Sequence, residues 1–266
     1  MISGCASDGK ALYIVDSYNH RLQKFNLSDG RLLRSGTKDL GSGQGQLYFP
    51  QGLSLTEGVL HVADTRNHRI VSFDTNLRFI FAFGGKRGSK EGELSFPSGV
   101  AVIGTTIYVA DSGNDRIQVF STRGKFIRIF AKPAGDEYPF DLPSDVSLAH
   151  GRVFVSEFHG KRVQVLTRDG APRGQLREPC FGGLLGICVD PAERRAFAID
   201  RQHNVVHVLD VCFGGRLHGR QPLLHESPRS AGKRKRTGGT GGSGGSGGSA
   251  SSSGPQTRQR TRVRRD

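Results

Sequence analysis

Tryptophan is absent from the 266 residues, and methionine occurs once, at the first position. A helical bundle of this size would draw more on Leu, Ala and Met, so that shortage disfavours one. Nowhere do the apolar residues run on for the roughly 18 positions that a membrane-spanning helix needs. An apolar signal core is also missing after Met1, where Ser3, Gly4, Asp8 and Lys10 interrupt the stretch. The expectation is an intracellular protein, cytoplasmic or nuclear, with no membrane contact. Cys5, Cys180, Cys188 and Cys212 form no Cys-x-x-Cys pair. They are therefore expected to be reduced thiols of the core.

Glycine is plentiful, at 38 positions, which favours short strands joined by many turns. Charge is unevenly distributed. Residues 1–213 carry 26 Lys+Arg against 22 Asp+Glu, a balance of +4, whereas residues 214–266 carry 12 against 2, a balance of +10. That second stretch holds Lys233, Arg234, Lys235 and Arg236, a Gly/Ser/Thr run over 237–254, and Arg258, Arg260, Arg262, Arg264 and Arg265. With so few aromatic or branched side chains it cannot repay its ordering entropy by burial. The expected boundary lies near residue 213, with a disordered basic tail beyond it. The Lys233 to Arg236 cluster reads as a nuclear address or a polyanion contact, and the arginines after it can hold phosphates but cannot stack on bases.

One pattern recurs through residues 1–213. It reads YIVDSYNHRLQKF from Tyr13, HVADTRNHRIVSF from His61, YVADSGNDRIQVF from Tyr108, FVSEFHGKRVQVL from Phe154 and, more weakly, FAIDRQHNVVHVL from Phe197. Its acids are Asp16, Asp64, Asp111, Glu157 and Asp200; five positions on stand Arg21, Arg69, Arg116 and Arg162, then Val205. Pro50, Pro97 and Pro143 precede the acids by a constant interval. Within residues 50–96 the strand signals fall at 52–55, 59–63, 69–73 and 78–83, with turns at 57–58, 65–68 and 75–76. Both alternate faces of these strands are apolar, so each four-stranded sheet must be covered on both sides. Radial stacking of sheets meets that need, and a period in the forties fits a propeller blade. The predicted fold class is all-β, a β-propeller.

The motif V-A-D-x-x-N-x-R-I-x-x-F, nearly intact at residues 62–73 and 109–120, resembles the NHL repeat. The resemblance covers about residues 2–213 and implies a β-propeller, usually of six blades. Here five units are recognisable, the first opening at its innermost strand with Ile2, and residues 216–224 are the one candidate for a further closing strand. A WD40 propeller is excluded by the lack of Trp. The RING, B-box and coiled-coil segments that often precede NHL repeats are not found, and no Cys/His array could bind the zinc ions of a RING.

Repetition in every blade points to a structural role for the acids and arginines, since catalysis needs one site and not five. Each acid is expected to accept backbone N–H groups around a tight turn, with the turn's Asn tolerating positive φ. His20, His68, Asp115, Lys161 and Asn204 share the next turn position. Similar lyases hold a catalytic zinc with His residues in the propeller channel, but two His fall short of the three ligands such a site needs. The Gly-rich basic loops from Gly36 and Gly85 contain neither GxxxxGK[ST] nor a strand-linked GxGxxG, so they are read as inter-blade connections. No cofactor and no metal is expected. The functional expectation is a non-catalytic scaffold that binds protein partners through rim loops. The alternative is single-stranded RNA on the propeller face, which requires Arg66, Lys86, Arg87, Lys90 and Lys161 to gather on one rim; a channel lyase or hydrolase is the third reading.

Overall fold

The computed structural model describes residues 1–36, 39–130, 139–190, 192, 194–211 and 217–219. Five four-stranded antiparallel sheets follow one another, each with its strands in chain order from the axis outward. Blade 1 contains β1 (Ile2–Ser7), β2 (Ala11–Asp16), β3 (Arg21–Asn26) and β4 (Leu32–Ser35); blade 2 contains β5 (Leu53–Thr56), β6 (Val59–Asp64), β7 (Arg69–Asp74) and β8 (Phe79–Gly84). Blade 3 contains β9 (Pro97–Ile103), β10 (Thr106–Asp111), β11 (Arg116–Ser121) and β12 (Phe126–Phe130); blade 4 contains β13 (Pro143–Ala149), β14 (Arg152–Glu157), β15 (Arg162–Thr167) and β16 (Pro172–Leu176). Blade 5 contains β17 (Leu184–Asp190), β18 (Arg195–Asp200), β19 (Val205–Val211) and β20 (Leu217–Gly219). No helix among the described residues is long and apolar enough to cross a membrane.

Local chemistry explains the hairpins. Glu57 and Gly58 both take positive φ, at 49° and 77°, between the paired residues Thr56 and Val59. His150 and Gly151 do the same, at 50° and 72°, between Ala149 and Arg152. Two central residues of that kind twist in the sense the strands themselves favour.

The core is divided among the spaces between blades. Tyr13, Leu22, Leu60 and Phe73 pack blade 1 on blade 2, and Ile70, Ile107 and Phe120 pack blade 2 on blade 3. Tyr108, Ile117, Val153 and Leu166 join blades 3 and 4; Phe154, Val163, Leu184 and Leu209 join blades 4 and 5. Ile70 and Phe73 therefore serve opposite neighbours, as two apolar faces require. Among the described residues no such cluster joins blade 5 to blade 1. On the seam side of blade 5, Ile199 is 51% exposed, whereas Ala63, Ala110 and Ser156 at the equivalent place in blades 2, 3 and 4 are fully buried.

Two expectations change here. Cys5, Cys180 and Cys188 are exposed and unpaired rather than core thiols. Cys5 and Cys188 pair with Ile14 and Phe197 on the faces of β1 and β17 that turn to the seam, where no packed blade covers them. Cys212 lies outside the described residues. The boundary near residue 213 falls inside blade 5, because Leu209, Asp210 and Val211 find main-chain partners in Gly219, His218 and Leu217. The rest of the expected tail, Lys233 to Arg236 included, lies outside the described residues.

Candidate recognition rim

In each of the first three blades the turn after the second strand is one 3-10 turn, Ser17–Asn19, Thr65–Asn67 and Ser112–Asn114. These turns and the connections between blades lie on the same rim, since each follows an even-numbered strand of an up-and-down sheet. The repeat acid anchors both. Asp64 Oδ1 accepts the Tyr48 N–H at 2.6 Å and Asp111 Oδ1 the Ser95 N–H at 2.6 Å, donors that belong to the incoming inter-blade connection and not to the acid's own turn. The turn's Asn67 and Asn114 donate side-chain N–H groups to the other oxygen.

The arginine five positions on completes the network. Nε of Arg21, Arg69, Arg116 and Arg162 lies 3.0, 2.8, 2.6 and 3.0 Å from its acid. Arg116 also donates to the carbonyls of Ser89, Lys90 and Glu93, and Arg69 to those of Ser42 and Gln46, so one guanidinium ties sheet to connection. Blade 5 has Val205 in that place, and Asp200 takes the Gly182 N–H at 2.7 Å and the imidazoles of His203 and His207 at 3.0 and 3.1 Å. Burial opposes ionisation of Asp200, yet these donors hold its carboxyl far below the usual carboxylate range. The His207 position was legible: seven residues after the acid, Gln118 and Gln164 reach their acids in the same way.

Positive φ falls one residue later than expected, on His20, His68, Asp115, Lys161 and Asn204, at 53°, 53°, 48°, 48° and 56°. The reason is that the turn's Asn is spent on the acid. His20 Nδ1 and His68 Nδ1 accept the N–H of Phe49 and Phe96, each at 3.1 Å, and Asp115 Oδ1 accepts that of Leu142 at 2.7 Å. Every one of these bonds reaches the entrance of the next blade. His20 and His68 therefore stand a blade apart, each with one ring nitrogen committed to main chain. Among the described residues no three His, Cys, Asp or Glu are grouped as a metal would need.

The cations named from sequence all stand on this rim, on its turns and connections, but with different partners. The Arg66 guanidinium lies 5.0 Å over the Phe49 ring and 5.7 Å from that of Tyr48, and the Arg87 guanidinium 4.9 Å over Phe96. Lys86 is paired with Glu93 at 2.8 Å, and Lys90 contributes main chain to the same loop. Lys161 is exposed in blade 4. Tyr18, Tyr48, Phe49 and Phe96, which sequence reasoning did not single out, build the aromatic part of this surface; the Phe before Pro50 and Pro97 was the available signal.

A further departure lies at the axis. Gly4, Gly52, Gly99 and Gly186 occupy one inner-strand position, and blade 4 has Asp145 there. Asp145 accepts the N–H of Ile187 in blade 5 at 3.1 Å and of Val146 at 2.9 Å, while burial pushes its carboxyl up to about 7.

The NHL repeat pattern matches residues 94–120. A segment of 83 residues is 32% identical to NHL repeat-containing protein 2 of Gallus gallus, covering 29% of this chain and 11% of that protein. The chain thus spans about a tenth of that relative's length. Among solved structures, the fold resembles a chain of a nidogen/laminin complex with a TM-score of 0.66 and 17% identity, covering 83% of this chain and 79% of that one. It also resembles virginiamycin B lyase from Staphylococcus aureus, at 0.60 and 14% over 83% and 69%, and a chain of the mitotic checkpoint complex, at 0.60 and 13% over 85% and 68%. These likenesses concern fold. The matched repeat lies in blade 3 of this five-bladed frame, and the chain's likeness to NHL-repeat proteins rests on that segment and on the 83-residue match.

Proposed function

We propose that the chain is a non-catalytic recognition scaffold whose rim turns bind a protein partner. The observation that carries this reading is one backbone position with five different side chains. Two residues after each repeat acid stand Tyr18, Arg66, Gly113, His159 and Gln202, all exposed, on turns whose acids are spent on internal hydrogen bonds. A shared frame that presents a different outward residue in each blade is how loops carry function on a common fold.

RNA binding is the second reading, favoured by the exposed rings of Tyr18 and Phe96 beside Arg66 and Arg87. The two arginines, however, cover the Phe49 and Phe96 rings on which bases would stack. A lyase reading has less support, because His20 and His68 are each tied to a backbone N–H in separate blades. The test is capture from lysate by the full chain, with and without nuclease, beside a variant carrying Tyr18→Ala, Arg66→Ala, His159→Ala and Gln202→Ala. Nuclease-resistant partners lost by a variant of unchanged melting temperature support the scaffold. Partners that vanish with nuclease transfer the reading to RNA, and partners indifferent to the four substitutions remove the rim.

A further inference from the structure

Arg66 and Arg87 differ from the repeat arginines of their blades. Arg69 and Arg116 are consumed inside the frame, each by a carboxylate and by main-chain carbonyls. Arg66 and Arg87 are exposed and have no carboxylate partner among the described residues. Their planes are nonetheless held. Phe49 and Phe96 both take φ 47°, and each ring is met edge-on by a histidine, His20 or His68, with centroids 4.6 Å apart. Burial first, and then Arg87, lowers the His68 pKa from its ordinary value. A guanidinium laid on such a ring has its fork of N–H donors pre-oriented and still unspent, the arrangement that matches a carboxylate two bonds at a time.

We infer that the rim above blades 2 and 3 takes an extended acidic peptide, one carboxylate on Arg66 and a second on Arg87, an inference that rests on the scaffold reading. The spacing follows from the fold. Phe49 and Phe96 occupy the same place in consecutive blades, and packed sheets lie about 10 Å apart. A polyproline II chain advances about 3.1 Å per residue with three residues per turn. Acids three residues apart then project from one edge about 9 Å from each other, whereas acids two apart point in different directions. Charge on the rest of the rim favours a short peptide over a long polyanion. Beyond Phe96 the exposed rim includes Asp115 and Asp141 as well as Lys161, and a phosphate backbone continuing round the rim would meet the two acids. Arg66 and Arg87 also cover the Phe49 and Phe96 rings, which competes with a base for those faces.

The experiment measures fluorescence anisotropy with the full chain and a labelled hexapeptide, Pro-Glu-Pro-Pro-Glu-Pro. Its controls are the same peptide with Gln for Glu, the isomer Pro-Glu-Pro-Glu-Pro-Pro, and a labelled oligouridylate. Saturable binding is expected, at least about tenfold weaker for the Gln peptide and weaker for the isomer. Arg66→Ala and Arg87→Ala should each weaken it about fivefold or more without changing the melting temperature, and Arg66→Lys should not restore it. Replacing Lys233, Arg234, Lys235 and Arg236 by Gln should leave the Arg66-dependent part intact. Equal binding of the Gln peptide, indifference to both arginine variants, or displacement of the peptide by oligouridylate at lower concentration would overturn the inference. The scaffold reading is judged separately: if the hexapeptide fails while the fourfold rim variant still loses its protein partners, only the acidic chemistry is wrong.

Discussion

The faces between blades 2, 3 and 4 and the two faces at the seam are written in much the same residues but live in different surroundings. Ile117 and Val163, in the third strands of blades 3 and 4, are fully buried; Val206, their counterpart in blade 5, is half-buried, and Ile199 beside it is half exposed. On the other side of the seam Ile2 is 65% and Leu32 48% exposed. Apolar patterning thus prepares a face for a neighbour, and only the neighbour delivers the burial energy. The stability of this protein should accordingly be concentrated in the four occupied spaces.

The largest effect should come from the buried charge network. Asp111→Ala leaves Arg116, 7% exposed, without its carboxylate. A buried ion left unpaired in this way typically costs about 3–5 kcal/mol. Asp16→Ala, at the seam-side blade, removes the same partner from Arg21, whose side chain is 20% exposed. Water can replace part of that interaction, so about 1 kcal/mol is expected. Urea unfolding of both variants measures the contrast, and equal losses would mean that the two networks are equally dry.

Next comes the apolar pair. Ile117→Ala opens a cavity between blades 3 and 4 and should cost about 3 kcal/mol, within the range for buried truncations. Val206→Ala, which faces the seam, should cost less than about 1 kcal/mol because little apolar area is covered there. A midpoint shift for Val206→Ala as large as that for Ile117→Ala would show that the seam face is packed in solution.

Two titrating groups oppose each other within the interior and hide one another. Burial lowers His61 to about 4, and its Nδ1 lies 2.9 Å from Ser72 Oγ. A depressed folded pKa means stability is complete above the ordinary histidine value and is lost as pH falls from about 6.5 to about 4. Asp145 is raised to about 7, so its contribution is complete near pH 4 and lost as pH rises to 7. Each amounts to on the order of 3 kcal/mol at 1.36 kcal/mol per pKa unit, with opposite sign. The parent protein should therefore change little between pH 4.5 and pH 6.5, on the balance of these two linkages. His61→Phe, which installs the aromatic that the other blades carry, should make it more stable toward pH 4.5. Asp145→Gly should make it less so. Thermal melts over that pH window decide the matter, and two flat variants would remove both assignments.

The repeat made the frame readable in advance, because the acid, the arginine and the closing Phe or Leu each occupy a position where sheet geometry leaves little choice. In blade 2 the strands fall within a residue of their expected bounds at every end: β6 is Val59–Asp64 and β7 Arg69–Asp74. What escaped was relational. The left-handed turn residue falls on His68 because Asn67 is drawn to Asp64, a bond that spacing does not announce. Cys5 and Cys188 look like core residues on a strand, and their exposure follows from the unpaired seam. Asp145 was visible only by setting the inner strands side by side, where an acid interrupts a column of glycines. The rim aromatics needed the knowledge that each inter-blade connection folds back over its own blade.

The smallest effect concerns that column of glycines and tests the seam most directly. A Cβ on Gly52 would sit 2.4 Å from the Ser98 carbonyl oxygen and 2.8 Å from Gly99 Cα, both backbone atoms of the next blade. Neither can yield without moving β9, and Gly52 N–H already donates to that same carbonyl at 2.7 Å. Gly52→Ala should cost about 1–3 kcal/mol, the usual range for overpacking. A Cβ on Gly186 would meet Ile199 Cδ1 at 3.2 Å and Asp145 Oδ2 at 3.8 Å, with no backbone atom of another blade among its nearest neighbours. Ile199 is half exposed and its terminal carbon can swing away, while the added methyl restrains the unfolded chain, an effect worth about 0.4–1 kcal/mol in favour of folding. Gly186→Ala should then leave stability within about 0.5 kcal/mol of the parent, or raise it slightly. Chemical denaturation of the two variants side by side gives the answer: a loss for Gly186→Ala equal to that for Gly52→Ala would place a strand against β17 and close the seam.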